Sequence, residues 1–129
     1  MFASIVAVAC GGALGAVARF ITVVISQYMF GERFPIGTLF VNCFGSFLIG
    51  LFMSLCMDRL ADVEYWRLFV VVGFLGAYTT FSSFAWDTLV LYTNGQWLAA
   101  SINILLNNVI TITLLLMGMH TGRLFGGYA

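Results

Sequence analysis

The chain reads as an all-α integral membrane protein built from four transmembrane helices. Three observations carry that reading. Hydrophobic residues make up 62% of the chain and charged residues only 8%, where a soluble domain carries about 25% charge. The mean hydropathy is +1.06. Four apolar stretches, each reaching the roughly 20 residues that a spanning helix needs, alternate with short polar links. The expectation is a single transmembrane domain over residues 1–129.

The first helix is expected over about residues 2–28. It opens MFASIVAVAC without a basic flank, so it reads as a retained helix rather than a cleaved leader. The link Gly31-Glu32-Arg33-Phe34-Pro35 follows, with Pro35 placed to open the second helix. That helix is expected over about 36–57. The most charged loop is next, Asp58 to Glu64. The third helix is expected over about 66–92, with Thr93-Asn94-Gly95-Gln96 as its turn, and the fourth over about 97–119. Trp66, Tyr92 and Trp97 fall near helix ends, where amphipathic rings favour the bilayer interface.

Charge excludes some partners. The formal net charge is +0 and all the basic residues are arginine, so no basic surface points to nucleic acid. The bilayer is the partner the composition demands. With four spans, Arg59, Arg67 and Arg123 share one side and Arg33 lies on the other, joined by Arg19 if that residue reaches out of the first helix. This is a weak bias against the clear excess that ordinarily fixes orientation. An antiparallel dimer is therefore an open hypothesis. Cys10, Cys43 and Cys56 lie in apolar segments at spacings that fit no zinc pattern, and they read as small hydrophobes.

The polar residues inside the spans are the informative ones. Gly73 to Phe84 reads GFLGAYTTFSSF, and the third helix is expected to break at Gly76-Ala77-Tyr78-Thr79-Thr80. Lipid satisfies no freed backbone group, so such a break must be buried in protein or line a wet cavity. Freed carbonyls there suit a small hard cation. Phe81 and Phe84 share a face just after the break, either as core packing or with ring edges turned to an anion. Asn103, Asn107 and Thr111 recur every four residues, a stripe of donors about 12 Å long. It fits either interhelical bonding or a polar pathway. Thr38 and Asn42 are likewise four apart, while Gly45, Ser46 and Gly50 read as small packing residues. Arg19 is either an anchor or an attractor of anions at a pore mouth. Asp87 is the one acid within a span, placed for a wet vestibule. Because proton-coupled exchange leans on embedded carboxylates or histidines, this scarcity disfavours an exchanger.

These residues resemble the Fluc fluoride channels, also called the CrcB family, over essentially the full length. The resemblance rests on Gly11-Gly12, Gly15 and Arg19; on Gly37-Thr38-Leu39 with Val41-Asn42; and above all on Gly73-Phe74-Leu75-Gly76 followed by Thr79-Thr80-Phe81-Ser82-Ser83-Phe84. It implies a dual-topology, antiparallel homodimer in the cell inner membrane that passively exports fluoride and has no enzyme activity. It implies a structural Na⁺ at the dimer centre, held by the backbone carbonyls of Gly76 and Thr79. It implies a fluoride pore formed by Phe81, Phe84, Asn42, Ser83 and Thr38 with the polar track Asn103, Asn107 and Thr111, and a vestibule at Arg19 and Asp87. Two departures stand out: Ala77-Tyr78 at the break, and Leu115 where the polar track often continues. The competing readings are a small multidrug-type exporter, which requires a carboxylate deep in the first helix where residues 2–28 have none, and a membrane protein without transport.

Overall fold

The computed structural model describes residues 1–56 and 64–126. It contains four helices long and apolar enough to cross a bilayer: α1 (Phe2–Phe30), α2 (Ile36–Cys56), α3 (Glu64–Thr93) and α4 (Trp97–Phe125). This is the arrangement of a four-span, multi-pass membrane protein. Met57, the loop from Asp58 with Arg59, and residues 127–129 lie outside the described residues.

Local chemistry sets the ends. Helix α1 stops at Gly31, whose φ of 76° is left-handed and whose N–H bonds Gln27 O at 2.8 Å, a conformation only glycine adopts at little cost. Pro35 lies one residue before α2, and its carbonyl takes the first helical bond, from Leu39 N at 3.1 Å. Helix α4 runs six residues beyond the expected Met119, to Phe125. His120, Thr121 and Arg123 look like an exit from the bilayer, but none of them breaks a helix, and Gly122 packs on Leu51 O and Ser54 of α2.

The bundle is held by backbone-to-backbone seams. Helix α1 lies along the first arm of α3, where a Cβ on Gly11 would fall 2.2 Å from Phe69 O and one on Gly15 2.1 Å from Phe74 O. Helix α2 lies along α4 in the same way: a Cβ on Gly50 would fall 2.1 Å from Leu115 O and one on Gly118 2.1 Å from Phe47 O. In lipid there is little hydrophobic gain from helix association, so close packing of small residues carries it. Among the described residues, few side chains are fully enclosed. Val41, Leu75 and Asn103 are the largest with under 2% exposure, and an asparagine among them marks a polar interior.

Helix α3 changes winding along its length. Leu68–Leu75 is π-helical, and the Gly76 N–H reaches Val71 O. After one short turn, Gly76–Tyr78, the backbone extends at Thr79 (φ −79°, ψ 156°) and Thr80 (φ −153°, ψ 118°), and Phe81–Thr93 resumes as α-helix. Both residues are β-branched, which favours the extended region. Thr80 then caps the second arm, its Oγ1 accepting from Ser83 N at 3.1 Å, a contact typically worth about 1 kcal/mol.

Candidate functional site

The two extended threonines create the chemistry of the site. In an unbroken helix, Thr80 N–H would bond Gly76 O and Ser83 N–H would bond Thr79 O. Instead, Thr80 N–H donates to Asn42 Oδ1 at 2.7 Å, and Ser83 N–H donates to Thr80 Oγ1. The carbonyls of Gly76 and Thr79 are thereby released from their helical partners. Thr79 O receives a long contact from Arg19 Nη1 at 3.5 Å. These are neutral, hard oxygen donors, the kind that suits a small hard cation. The described residues contain no group of three or more His, Cys, Asp or Glu able to hold a metal, so a cation here would be bound by backbone.

Asn42 holds the interruption from α2. Its Nδ2 donates to Thr80 O at 3.0 Å while its Oδ1 accepts from Thr80 N, so both backbone groups of a residue only 6% exposed are satisfied by one side chain. The second Nδ2 hydrogen reaches Asn107 Oδ1 at 2.9 Å. Asn107 Nδ2 donates to Asn103 Oδ1 at 2.9 Å and to Asn103 O at 3.1 Å, and Asn103 Nδ2 donates to Thr88 Oγ1 at 2.9 Å. Thr111 Oγ1 bonds back to Asn107 O within its own helix. The stripe on α4 is therefore brought against Asn42 and the interruption. Asn42 and Asn107 spend their amide hydrogens on protein acceptors.

The phenylalanine pair adjoins this group. Phe81 and Phe84 meet edge to face, with ring centroids 5.2 Å apart and planes at 65°. They differ in setting: Phe84 is 7% exposed and Phe81 75%. With Asn42, Ser46, Thr80, Asn107 and Thr111 they line a concavity of about 230 Å³ that no charged side chain enters. Its lining carries hydroxyl groups and positive ring edges, beside the already engaged amides of Asn42 and Asn107.

Thr38, Arg19, Ser82, Ser83 and Asp87 gather elsewhere, in a second concavity of about 460 Å³. Thr38 Oγ1 donates to Asp87 Oδ2 at 2.6 Å, so the embedded carboxylate has a partner from α2. The structure thus divides the expected site residues. Phe81, Phe84, Asn42, Asn107 and Thr111 share one concavity, and Thr38, Ser83, Arg19 and Asp87 another. Asn103 is fully enclosed behind Asn107, at 0% exposure.

Thr88 escapes sequence reasoning, and the structure gives Tyr78 and Gly45 their specific neighbours. Thr88 ends the asparagine chain. Its only signal is its position, one turn after Phe84 in the polar half of the third span. Tyr78 is 6% exposed, stacks on Phe74 (6.0 Å, 7°) and shares a 3.3 Å hydroxyl bond with Thr22 of α1. This departure from the family pattern is a packing residue between α1 and α3. Gly45 makes room for the neighbouring Thr79: a Cβ there would fall 2.4 Å from Thr79 Cγ2, with Tyr78 Cδ1 at an ordinary 3.4 Å.

Residues 6–119 match the family model described as CrcB-like protein, Camphor Resistance (CrcB). The Fluoride-specific ion channel FluC of Legionella pneumophila subsp. pneumophila (strain Philadelphia 1) is 46% identical over 112 residues, covering 87% of this chain and 84% of that one. The protein of the same name from Sulfurihydrogenibium sp. (strain YO3AOP1) is 46% identical over 100 residues, covering 78% and 81%. That of Shewanella amazonensis is 41% identical over 117 residues, covering 88% and 90%. Matched along nearly all of its four spans, the chain belongs to the CrcB-like protein family.

Proposed function

We propose that this protein is a fluoride-selective passive channel that lets fluoride leave the cytoplasm across the inner membrane. The observation that carries the reading is the uncharged concavity where the Phe81 and Phe84 rings meet Asn42, Asn107 and Thr111, in a chain whose relatives are named fluoride-specific ion channels. Fluoride is small and strongly hydrated. A selective pore must replace its water with close donors and still release the ion. Hydroxyls and ring edges do so without the trap that a buried ammonium would form. The protein is not an enzyme, since its family is one of ion channels.

The working form is an antiparallel homodimer. Gly76, Phe81 and Ser82 are exposed at the middle of α3, where lipid leaves a polar backbone unsatisfied. A second copy covers that face. Two carbonyls from each subunit, Gly76 O and Thr79 O, then form a four-oxygen seat for a structural Na⁺ at the dimer centre. The ion's charge offsets part of the cost of holding an anion in a low dielectric. Replacing Na⁺ by N-methyl-D-glucammonium throughout purification should lower both the dimer fraction in detergent and the fluoride flux. Equal values in the two buffers would remove the cation from the design.

The direct test is efflux from liposomes carrying the purified protein, followed with fluoride and chloride electrodes. Fluoride should leave far faster than chloride, and a rate equal to protein-free vesicles ends the channel reading. Phe81→Ile and Phe84→Ile should each cut fluoride flux about tenfold or more while the dimer persists, the loss of roughly one hydrogen-bond-sized interaction with the ion. Wild-type flux in both variants would take the rings out of the pathway.

A further inference from the structure

The three asparagines point one way, and both ends of their chain force that direction. At one end, Thr80 offers a backbone N–H and a backbone C=O to a single side chain. Only one amide orientation satisfies both, with Oδ1 on the N–H and Nδ2 on the carbonyl. Asn42 is therefore fixed, and its remaining hydrogen meets Asn107 Oδ1. That fixes Asn107, whose Nδ2 meets Asn103 Oδ1, and Asn103 must turn its own Nδ2 onward to Thr88. At the other end, Thr88 Oγ1 donates its only hydrogen to Phe84 O at 2.8 Å. Its lone pairs alone remain, so it demands a donor from Asn103. The two ends agree. A flip of any one amide would set oxygen against oxygen or nitrogen against nitrogen at its neighbours.

We infer that Thr88 is a positioning residue for the ion pathway: by accepting from Asn103 it locks Asn103 and Asn107 in the one orientation that gives Asn42 an acceptor for its second hydrogen, and so supports Asn42 in holding the Thr80 backbone extended beside Phe84. The inference rests on the channel reading for its flux arm only. Asn103, at 0% exposure, has no water to substitute for a lost partner. Thr88 also ties the chain to Phe84 itself, whose carbonyl takes the threonine hydrogen one turn above the ring. Thus one hydroxyl couples the buried amides of α4 to the arm of α3 that carries both phenylalanines.

The test compares Thr88→Val, which keeps the shape and removes the hydroxyl, with Thr88→Ser, which keeps the hydroxyl. The full-length protein is labelled with ¹⁵N-asparagine in detergent micelles, and the side-chain amide signals of Asn42, Asn103 and Asn107 are recorded beside liposome fluoride flux. Thr88→Val should shift all three amide signals, Asn42 included, and lower fluoride flux about tenfold. Thr88→Ser should keep wild-type signals and flux within about twofold. Should Thr88→Val not fold, Thr88→Ala carries the same readout. Asn42 signals unmoved in the hydroxyl-free variant would overturn the relay. If wild-type protein passes no fluoride but the Asn42 signal moves, the relay stands and the channel reading fails.

Discussion

Asn42→Leu is expected to abolish fluoride flux and to destabilise the subunit by about 4 kcal/mol, since each buried backbone group left without a partner costs about 1–3 kcal/mol. The substitution orphans Thr80 N–H and Thr80 C=O together, and it also takes the donor from Asn107 Oδ1. The residue is not replaceable by a helical bond, because the Thr80 carbonyl and amide point where α2 supplies the partner. A leucine of similar volume fills the space and satisfies nothing. Relaxing Thr80 back to helix would recover those bonds only by closing Gly76 O onto the chain again, which removes the proposed cation seat. Loss of stability and loss of function therefore arrive together. Asn108→Leu is the matched control: Asn108 is exposed and its Nδ2 bonds only Ile104 O of its own helix, at 2.7 Å. It should change stability by no more than about 0.5 kcal/mol. Unfolding titrations in mixed micelles measure both variants, and equal stability for the two would show that Asn42 does not hold the interruption.

The four spans are legible in the sequence because hydropathy and length suffice to place them. Site residues are legible to a lesser depth. Spacing by four puts Asn103, Asn107 and Thr111 on one face of a helix, yet it is silent on what lies opposite. Both readings of the stripe, bonding and pathway, therefore stay open until Asn42 is seen across from Asn107. The structure shows the bonding plainly, and it leaves Asn107 and Thr111 on the wall of the concavity as well. The direction of the amide chain could not be read, since it is fixed by a backbone conformation at Thr80 and a hydroxyl at Thr88 from another helix. Tyr78 is instructive in the opposite way. Beside Thr79 it stands out as an unusual residue, but its ring lies between Phe74 and Phe44, and only its hydroxyl needs a partner, which Thr22 gives. The π-helical turn is the least legible feature: LFVVVGFL suits any apolar helix, and the wider winding shows only in which carbonyl each N–H meets.

Gly15→Ala should separate α1 from α3 and cost at least about 3 kcal/mol, the upper end of what overpacking in a well-packed interior does. A methyl group at Gly15 would lie 2.1 Å from Phe74 O, 2.8 Å from Phe74 C and 3.0 Å from Phe74 Cα. All three are backbone atoms, so no rotamer change relieves the clash. The helices must part by about 1 Å to restore van der Waals distance, and the neighbouring contacts at Gly11 and Gly73 loosen with them. The site is affected through one further step. Phe74 stacks on Tyr78, and Tyr78 immediately precedes Thr79, whose carbonyl faces Arg19. Displacing Phe74 shifts that carbonyl, so fluoride flux should fall with stability even though Gly15 lines neither concavity. Gly12→Ala gives the opposite sign. Its methyl would have Gly73 O at 3.9 Å as its nearest neighbour, an ordinary contact. Alanine also favours helix over glycine by about 0.8–1.0 kcal/mol. The two glycines sit three residues apart on one helix, so composition and depth in the bilayer are nearly matched and only the opposing backbone differs. Unfolding titrations and dimer fractions of the pair settle it: the same effect from both would mean that α1 is not seated on the Phe74 carbonyl.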